Sequence, residues 1–275
     1  MKQVTLVALY GEKKKEVADL VALCQKVIAE ALRTCSKPGA FKPYELAQVH
    51  ATIVGLERYA GSRHDNLNYE AKRQRKVPMN VDGYFNYLRQ CGHIPFEVQI
   101  GGFAERDYPF TSRDTTPFKR SFSVQEGKDR EKDSERVVVM GWPVRGKPLD
   151  TEPGSSATWA QEARLYPTTL DAIRHAAQGF GILHGYHKAP TDVDNDLFFR
   201  IGLIEPKALT PPARSYLEYK IRRLLGAQPP LIIDIGPDDI FVASYVDDTL
   251  PPDSTKTWPL TDPRVTGPFV ESLYE

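Results

Sequence analysis

The chain has 275 residues, with 36 Lys and Arg against 36 Asp and Glu, and so no formal net charge at pH 7. Charge balance excludes a whole-molecule field that would draw the protein onto nucleic acid or a charged membrane, so any such contact must come from a local patch. At 41% hydrophobic and 26% charged, the composition is that of an ordinary globular chain, long enough for one large domain or two small ones.

The N-terminal apolar run in MKQVTLVALYGEKKK is too short to span a membrane and has no small-residue cleavage site after it, so a cytoplasmic protein is expected. It reads as a strand over 3–10. Residues 16–32 follow as an amphipathic helix, with Val17, Leu20, Val21, Cys24 and Ile28 at helical spacing. SKPGAFKP breaks that helix, and 48–57 reads as a strand. On it Val49, Ala51 and Ile53 point one way and His50, Thr52 and Val54 the other, because strand side chains alternate. Residues 79–92 predict a second helix, with Asp82 able to cap its start and Gly92 placed to end it. Residues 94–103 alternate as a strand, and 104–135 are charged and turn-rich.

The order then starts again. Residues 136–144 read as a strand, 145–158 as a Pro/Gly/Ser-rich loop, 167–180 as a helix and 197–205 as a strand. A helix over 211–226 opens on two prolines and closes on Gly226. Strands 229–236 and 240–248 are expected to pair across the Gly-Pro-Asp-Asp turn. The three cysteines, Cys24, Cys35 and Cys91, are too few and too scattered for a disulfide framework or a cysteine zinc site.

Two β-α-β-α-β series result, matching by eye where VHATIVGLE lies over LFFRIGLIE. His50 then stands over Phe198, Thr52 over Arg200 and Glu57 over Glu205. The expectation is one α+β domain of two pseudo-symmetric lobes around a central cleft. Lobe one covers about 1–103, lobe two about 136–250. A charged surface insertion fills 104–135, and a Pro-rich tail 249–275.

With a His-x-Thr in "HATI" on the first lobe and the strand "FEVQIGGF", this arrangement resembles the 2H phosphoesterase superfamily of 2′-5′ RNA ligase-like and 2′,3′-cyclic phosphodiesterase proteins. The resemblance implies a His-x-Thr/Ser from each lobe facing across the cleft. One histidine deprotonates the attacking hydroxyl, the other protonates the leaving oxygen, and the hydroxyls hold phosphoryl oxygens. Histidine suits both roles because its ordinary pKa lies near neutrality. No metal and no cofactor are implied.

The second motif is replaced by Phe198-Phe199-Arg200, without a histidine; the nearest are His184 and His187. The expected catalytic residues are therefore His50 and Thr52, with His187 swinging in as the second acid/base. Arg200 offers a fork that fits a phosphate bidentately, Phe198 a stacking surface, and Arg73 and Arg75 in KRQRK a phosphate-backbone rail supported by Arg63 and His64. Each has a bland counterpart. A strand histidine can simply bond a neighbour, Arg200 can sit in a salt bridge, Phe198 can fill space, and KRQRK can be a solvated loop. DVDND (192–196) can bind a divalent cation or cap the next strand, and HGYH has metal-like spacing without an evident third ligand.

Ser244 lacks a Gly-x-Ser-x-Gly surround, and no phosphate-binding or dinucleotide-binding glycine pattern occurs. The expected function is binding of a phosphate ester, a nucleotide or RNA end, with metal-independent hydrolysis of a cyclic phosphodiester. The alternative is a non-catalytic ligand-sensing or protein-interaction module that keeps the fold. The expected partner is a phosphorylated small molecule or RNA end, with no membrane contact; nothing in the sequence points to a protein partner.

Overall fold

The computed structural model describes residues 1–35, 37–62, 64–127, 129, 132–146 and 156–275. In chain order the elements are β1 (Gln3–Ala8), α1 (Lys15–Cys35), β2 (Phe41–Pro43), β3 (His50–Gly55), α2 (Leu67–Arg73), α3 (Val81–Gln90) and β4 (Phe96–Ile100). Then come α4 (Pro117–Arg120), β5 (Phe122–Gln125), β6 (Glu135–Val144), α5 (Ser156–Leu165), α6 (Thr169–Gln178) and β7 (Leu197–Ile204). The chain ends with α7 (Pro211–Ala227), β8 (Leu231–Ile235), β9 (Ile240–Tyr245), β10 (Lys256–Pro259) and α8 (Gly267–Ser272).

Among the described residues, ten strands join one antiparallel sheet in the order β10-β9-β1-β3-β7-β6-β4-β8, with β2 added to β7 and β5 to β6. The main helices form as their apolar spacing dictates. On α1, Val17, Val21, Cys24, Ile28 and Leu32 make a buried stripe; on α7, Ala213, Leu217, Ile221 and Leu225 recur every four residues. Thr210 starts α7 by accepting a hydrogen bond from the Ala213 N–H, with prolines in its first turn. The cap of α3 is Asn80 rather than Asp82, whose carboxylate instead accepts the Gly267 N–H.

The halves of the sheet are not the halves of the chain. β4, assigned to lobe one by position, lies between β6 and β8; β9, assigned to lobe two, lies between β1 and β10. The expected β8–β9 hairpin is absent, since residues 236–239 turn as a short 3-10 helix closed by the Asp239 carboxylate on the Gly236 N–H. Flat, β8 and β9 would stand about 29 Å apart at six strand spacings, whereas the five-residue step from 235 to 240 reaches at most about 18 Å. The sheet must therefore curve until its ends approach, which makes one side concave.

Helices and the larger core cover the other side: Ala51 and Ile53 of β3, and Leu197, Phe199 and Ile201 of β7, are buried there. The segment 104–135 is not merely a surface excursion. Its Tyr108 joins Phe103, Trp142 and Tyr166 in a second aromatic cluster, and Phe122 enters the main core through β5. Nor is 249–275 a loose tail: Leu250, Leu260, Val265, Val270 and Tyr274 are buried, and Tyr274 OH donates to the Leu56 carbonyl. Sparse apolar residues in polar sequence carry no periodic signal, yet each finds a site in the core. Most of the 145–158 loop lies outside the described residues. Among the described residues no helix is long and apolar enough to cross a membrane.

Candidate active site

A cleft of about 320 Å³ opens on the concave side, where β3 and β7 meet. In the β3–β7 ladder His50 stands directly opposite Arg200 and Ala51 opposite Phe199. Period-two alternation then puts His50, Thr52, Phe198 and Arg200 on one face, and all four line the cleft. This is the floor.

His50 is buried, and its Nδ1 lies 2.7 Å from the Gln48 carbonyl, so that nitrogen carries the hydrogen and Nε2 keeps a lone pair. Burial first, then the positive charges of Arg200 and Lys13, outweigh that hydrogen bond and hold the imidazole down at about 4. His50 is neutral at pH 7. The Thr52 hydroxyl has no hydrogen-bond partner among the described residues. Arg200 donates to the Asp248 carbonyl at 2.8 Å and lies 3.4 Å from its carboxylate, which also takes Arg136 at 3.1 Å. One carboxylate, itself 56% exposed, thus bridges two arginines on the cleft rim.

The wall comes from residues 184–196 and from α6. Arg174, 1% exposed, donates to the carbonyls of Thr52 (3.0 Å), Ile53 (2.9 Å), Asp194 (2.9 Å) and Asp196 (3.1 Å). It ties the floor strand to the wall. His184 Nε2 donates to the Asp194 carboxylate at 2.8 Å, leaving Nδ1 buried without a partner. Burial and the neighbouring Arg174 keep His184 well below the ordinary histidine pKa, despite its bond to Asp194. Burial works against the Asp194 charge, but Arg174 and His184 outweigh it and hold that carboxylate ionised. Asp196 accepts from Trp142 Nε1 (2.8 Å), Ser112 Oγ (2.6 Å) and Arg120 (3.0 Å). Arg113 stacks on the Tyr186 ring at 3.7 Å, its backbone left-handed at φ 47°. Glu57 closes one end; burial pushes its carboxyl up, and Tyr245 OH donates to it at 2.8 Å. A Cβ at Gly55 would overlap the Glu57 carboxylate, so a larger residue there would turn the Glu57 side chain aside.

Of the residues expected from sequence, the fold brings together His50, Thr52, Phe198 and Arg200. His187 does not line the cleft: it is fully buried behind His184, ring centroids 5.4 Å apart, and its nitrogens face Asp171 (3.1 Å) and Gln178 (3.4 Å). It cannot swing in without dismantling that packing. Arg73 spends its guanidinium on the carbonyls of His187 and Lys188, and Arg75 is exposed; neither lines the cleft. His64 lies 3.3 Å from Glu271, and Arg63 is outside the described residues. DVDND is a pairing and capping loop: Asn195 Oδ1 accepts from the Leu170 and Asp171 N–H groups at the start of α6.

Sequence reasoning missed Arg174, His184 as the cleft histidine, Asp194, Arg113, Arg136 and Glu57. Only HGYH followed by DVDND carried a signal for any of them, since a histidine and a carboxylate ten residues apart can form a dyad once a loop folds back.

No protein-family model matches the chain, and no curated protein matches it. Solved structures similar to the chain include Usb1 of Kluyveromyces marxianus with uridine monophosphate, at TM-score 0.42, and another structure of Kluyveromyces marxianus Usb1, at 0.40. Each is 12% identical, covering 94% of this chain and 98% of that one.

Proposed function

We propose that the cleft binds the phosphate of a nucleotide or RNA end, and that His50 and His184 are the acid/base pair that opens a cyclic phosphodiester there. The observation that carries this reading is that both histidines line one cleft, each with one nitrogen fixed by the protein and the other left free. Thr52 OH and the Arg200 and Arg136 forks supply donors for phosphoryl oxygens, and Phe198 or Tyr186 a face for a base. The Asp248 carboxylate between Arg136 and Arg200 occupies the position an entering anion would take.

Both imidazoles are neutral in the free protein, so one must gain a proton before it can act as the acid. A phosphate anion placed within a few ångströms raises the pKa of the ring it faces. One histidine then takes a proton from water as its oxygen bonds to phosphorus. The other gives its proton to the ribose oxygen as the P–O bond breaks, leaving a phosphomonoester.

The test is hydrolysis of 2′,3′-cyclic nucleotides and of short RNAs ending in a cyclic phosphate, with and without EDTA. His50→Ala and His184→Ala are measured alongside. Turnover that both substitutions abolish supports the reading. A folded protein that binds these ligands without turning them over favours the binding-module alternative, for which the phenylalanine at position 198 in place of a histidine is the supporting observation. The absence of both binding and turnover in a folded protein removes the reading.

A further inference from the structure

Behind the wall, Asp171 and His175 lie four residues apart on one face of α6, and His187 comes down on them from the loop. One candidate ligand atom from each residue lies within 4.8 Å of the other two. His187 Nε2 is 3.1 Å from Asp171 Oδ1, His175 Nδ1 is 3.2 Å from Asp171 Oδ2, and the two rings are 4.2 Å apart. Each imidazole nitrogen faces a different oxygen of the one carboxylate, so an ion between them would take both nitrogens and the Asp171 carboxylate at bonds of about 2.0–2.2 Å.

His175 supplies a second, independent observation. Its Nε2 faces the Pro190 carbonyl at 3.3 Å, and its Nδ1 faces both the Asp171 carbonyl (3.1 Å) and the Asp171 carboxylate. Among the described residues, the hydrogen-bond and ion-pair partners of this imidazole are all oxygen acceptors. A neutral ring can donate to only one side, so a lone pair is left against oxygen lone pairs. A metal ion at Nδ1 would take up that lone pair.

The surroundings also fit. His175 Nε2–H would donate to the Pro190 carbonyl, and His187 Nδ1–H to the Gln178 amide, whose oxygen and nitrogen exchange by a flip. Asp171 Oδ1 already accepts the Asp194 N–H at 2.8 Å. We infer that Asp171, His175 and His187 form a binding site for one divalent cation of the zinc class, which staples the 184–196 loop to α6. That staple is two contacts from the cleft, through Asp194 to His184, and it is a structural site separate from the proposed acid/base pair.

The full chain, stripped with EDTA and desalted, is titrated with Zn²⁺ by calorimetry and with Co²⁺ by visible absorption. Expected are one equivalent per chain, a tetrahedral-type Co²⁺ spectrum, and a thermal midpoint raised by Zn²⁺ on the order of 5 °C. His175→Gln and Asp171→Asn should each weaken Zn²⁺ binding at least about tenfold, while His64→Ala and His93→Ala leave it unchanged. His175 is one-third exposed, so its substitution tests the site without emptying the core, and circular dichroism of the metal-free variants checks the fold. The inference is overturned if Zn²⁺ does not bind saturably, or if binding ignores both substitutions. It is equally overturned if only His50→Ala or His184→Ala weakens binding, which would place the ion in the cleft.

Discussion

On the floor of the cleft, His50, Thr52, Phe198 and Arg200 are placed by a backbone ladder: two antiparallel strands, one face, fixed register. On the wall, His184, Asp194 and Asp196 are placed by side chains instead, through Arg174, Asn195, Ser112, Trp142 and Arg120. The ladder needs no particular side chain to keep its geometry, so exchanging a floor residue disturbs few hydrogen-bond partners, for His50 the Gln48 carbonyl alone. The wall is a network in which each member holds another, and removing one leaves a buried charge or carbonyl unpaired. Floor substitutions should therefore read out as chemistry, and wall substitutions as chemistry and stability together.

The sharpest way to break that contrast is Arg174. Arg174→Met should cost about 3–5 kcal/mol in denaturant unfolding, because four carbonyls and the Asp194 carboxylate lose their buried donor. Arg174→Lys should recover only part, since an ammonium lacks the planar fork. A loss below about 1 kcal/mol would make the wall self-supporting and the contrast wrong.

Turnover comes next. His50→Ala should lower kcat on a cyclic phosphodiester by about 10²-fold or more, with a smaller loss of stability near pH 7 than His184→Ala, since it unpairs one carbonyl rather than a buried carboxylate. His184→Ala should lower it as far while also destabilising the fold. Equal stability of the two variants would erase the distinction between ladder and network.

The acid limb of stability follows. His50 is buried with its pKa lowered from 6.5 to about 4, so below pH 6.5 the unfolded chain binds a proton that the folded one refuses. Stability attributable to this group is intact above pH 6.5, falls as the pH drops, and is lost by about pH 4, for a total of about 3 kcal/mol. His50→Gln should flatten the profile over that window. An unchanged profile would mean that His50 is not buried neutral. The smallest effect is expected at the rim, where Asp248→Asn should tighten inorganic phosphate binding by no more than about tenfold, because an exposed pair is worth about 1 kcal/mol or less. Weaker binding would show that Asp248 orients the arginines rather than competing with the anion.

Seven of the strands and the four main helices were legible in the residues alone, because alternation and 3.6-residue spacing are local consequences of backbone geometry, whereas the short β2, β5 and β10 carried no such pattern. The sequence also determined which face of β3 and β7 carries His50, Thr52, Phe198 and Arg200, since period two leaves no other choice once the strand is recognised. Pairing across distance was not legible there. β4 and β9 exchanged halves, and the 236–239 turn became a crossing rather than a hairpin, because turn residues permit both and burial selects between them. His187 and His184 share one short motif, yet one was packed against α6 and the other turned into the cleft. That choice rests on Arg174, Asp171 and Asp194, polar groups that must be paired once buried and whose partners lie up to 122 residues away along the chain.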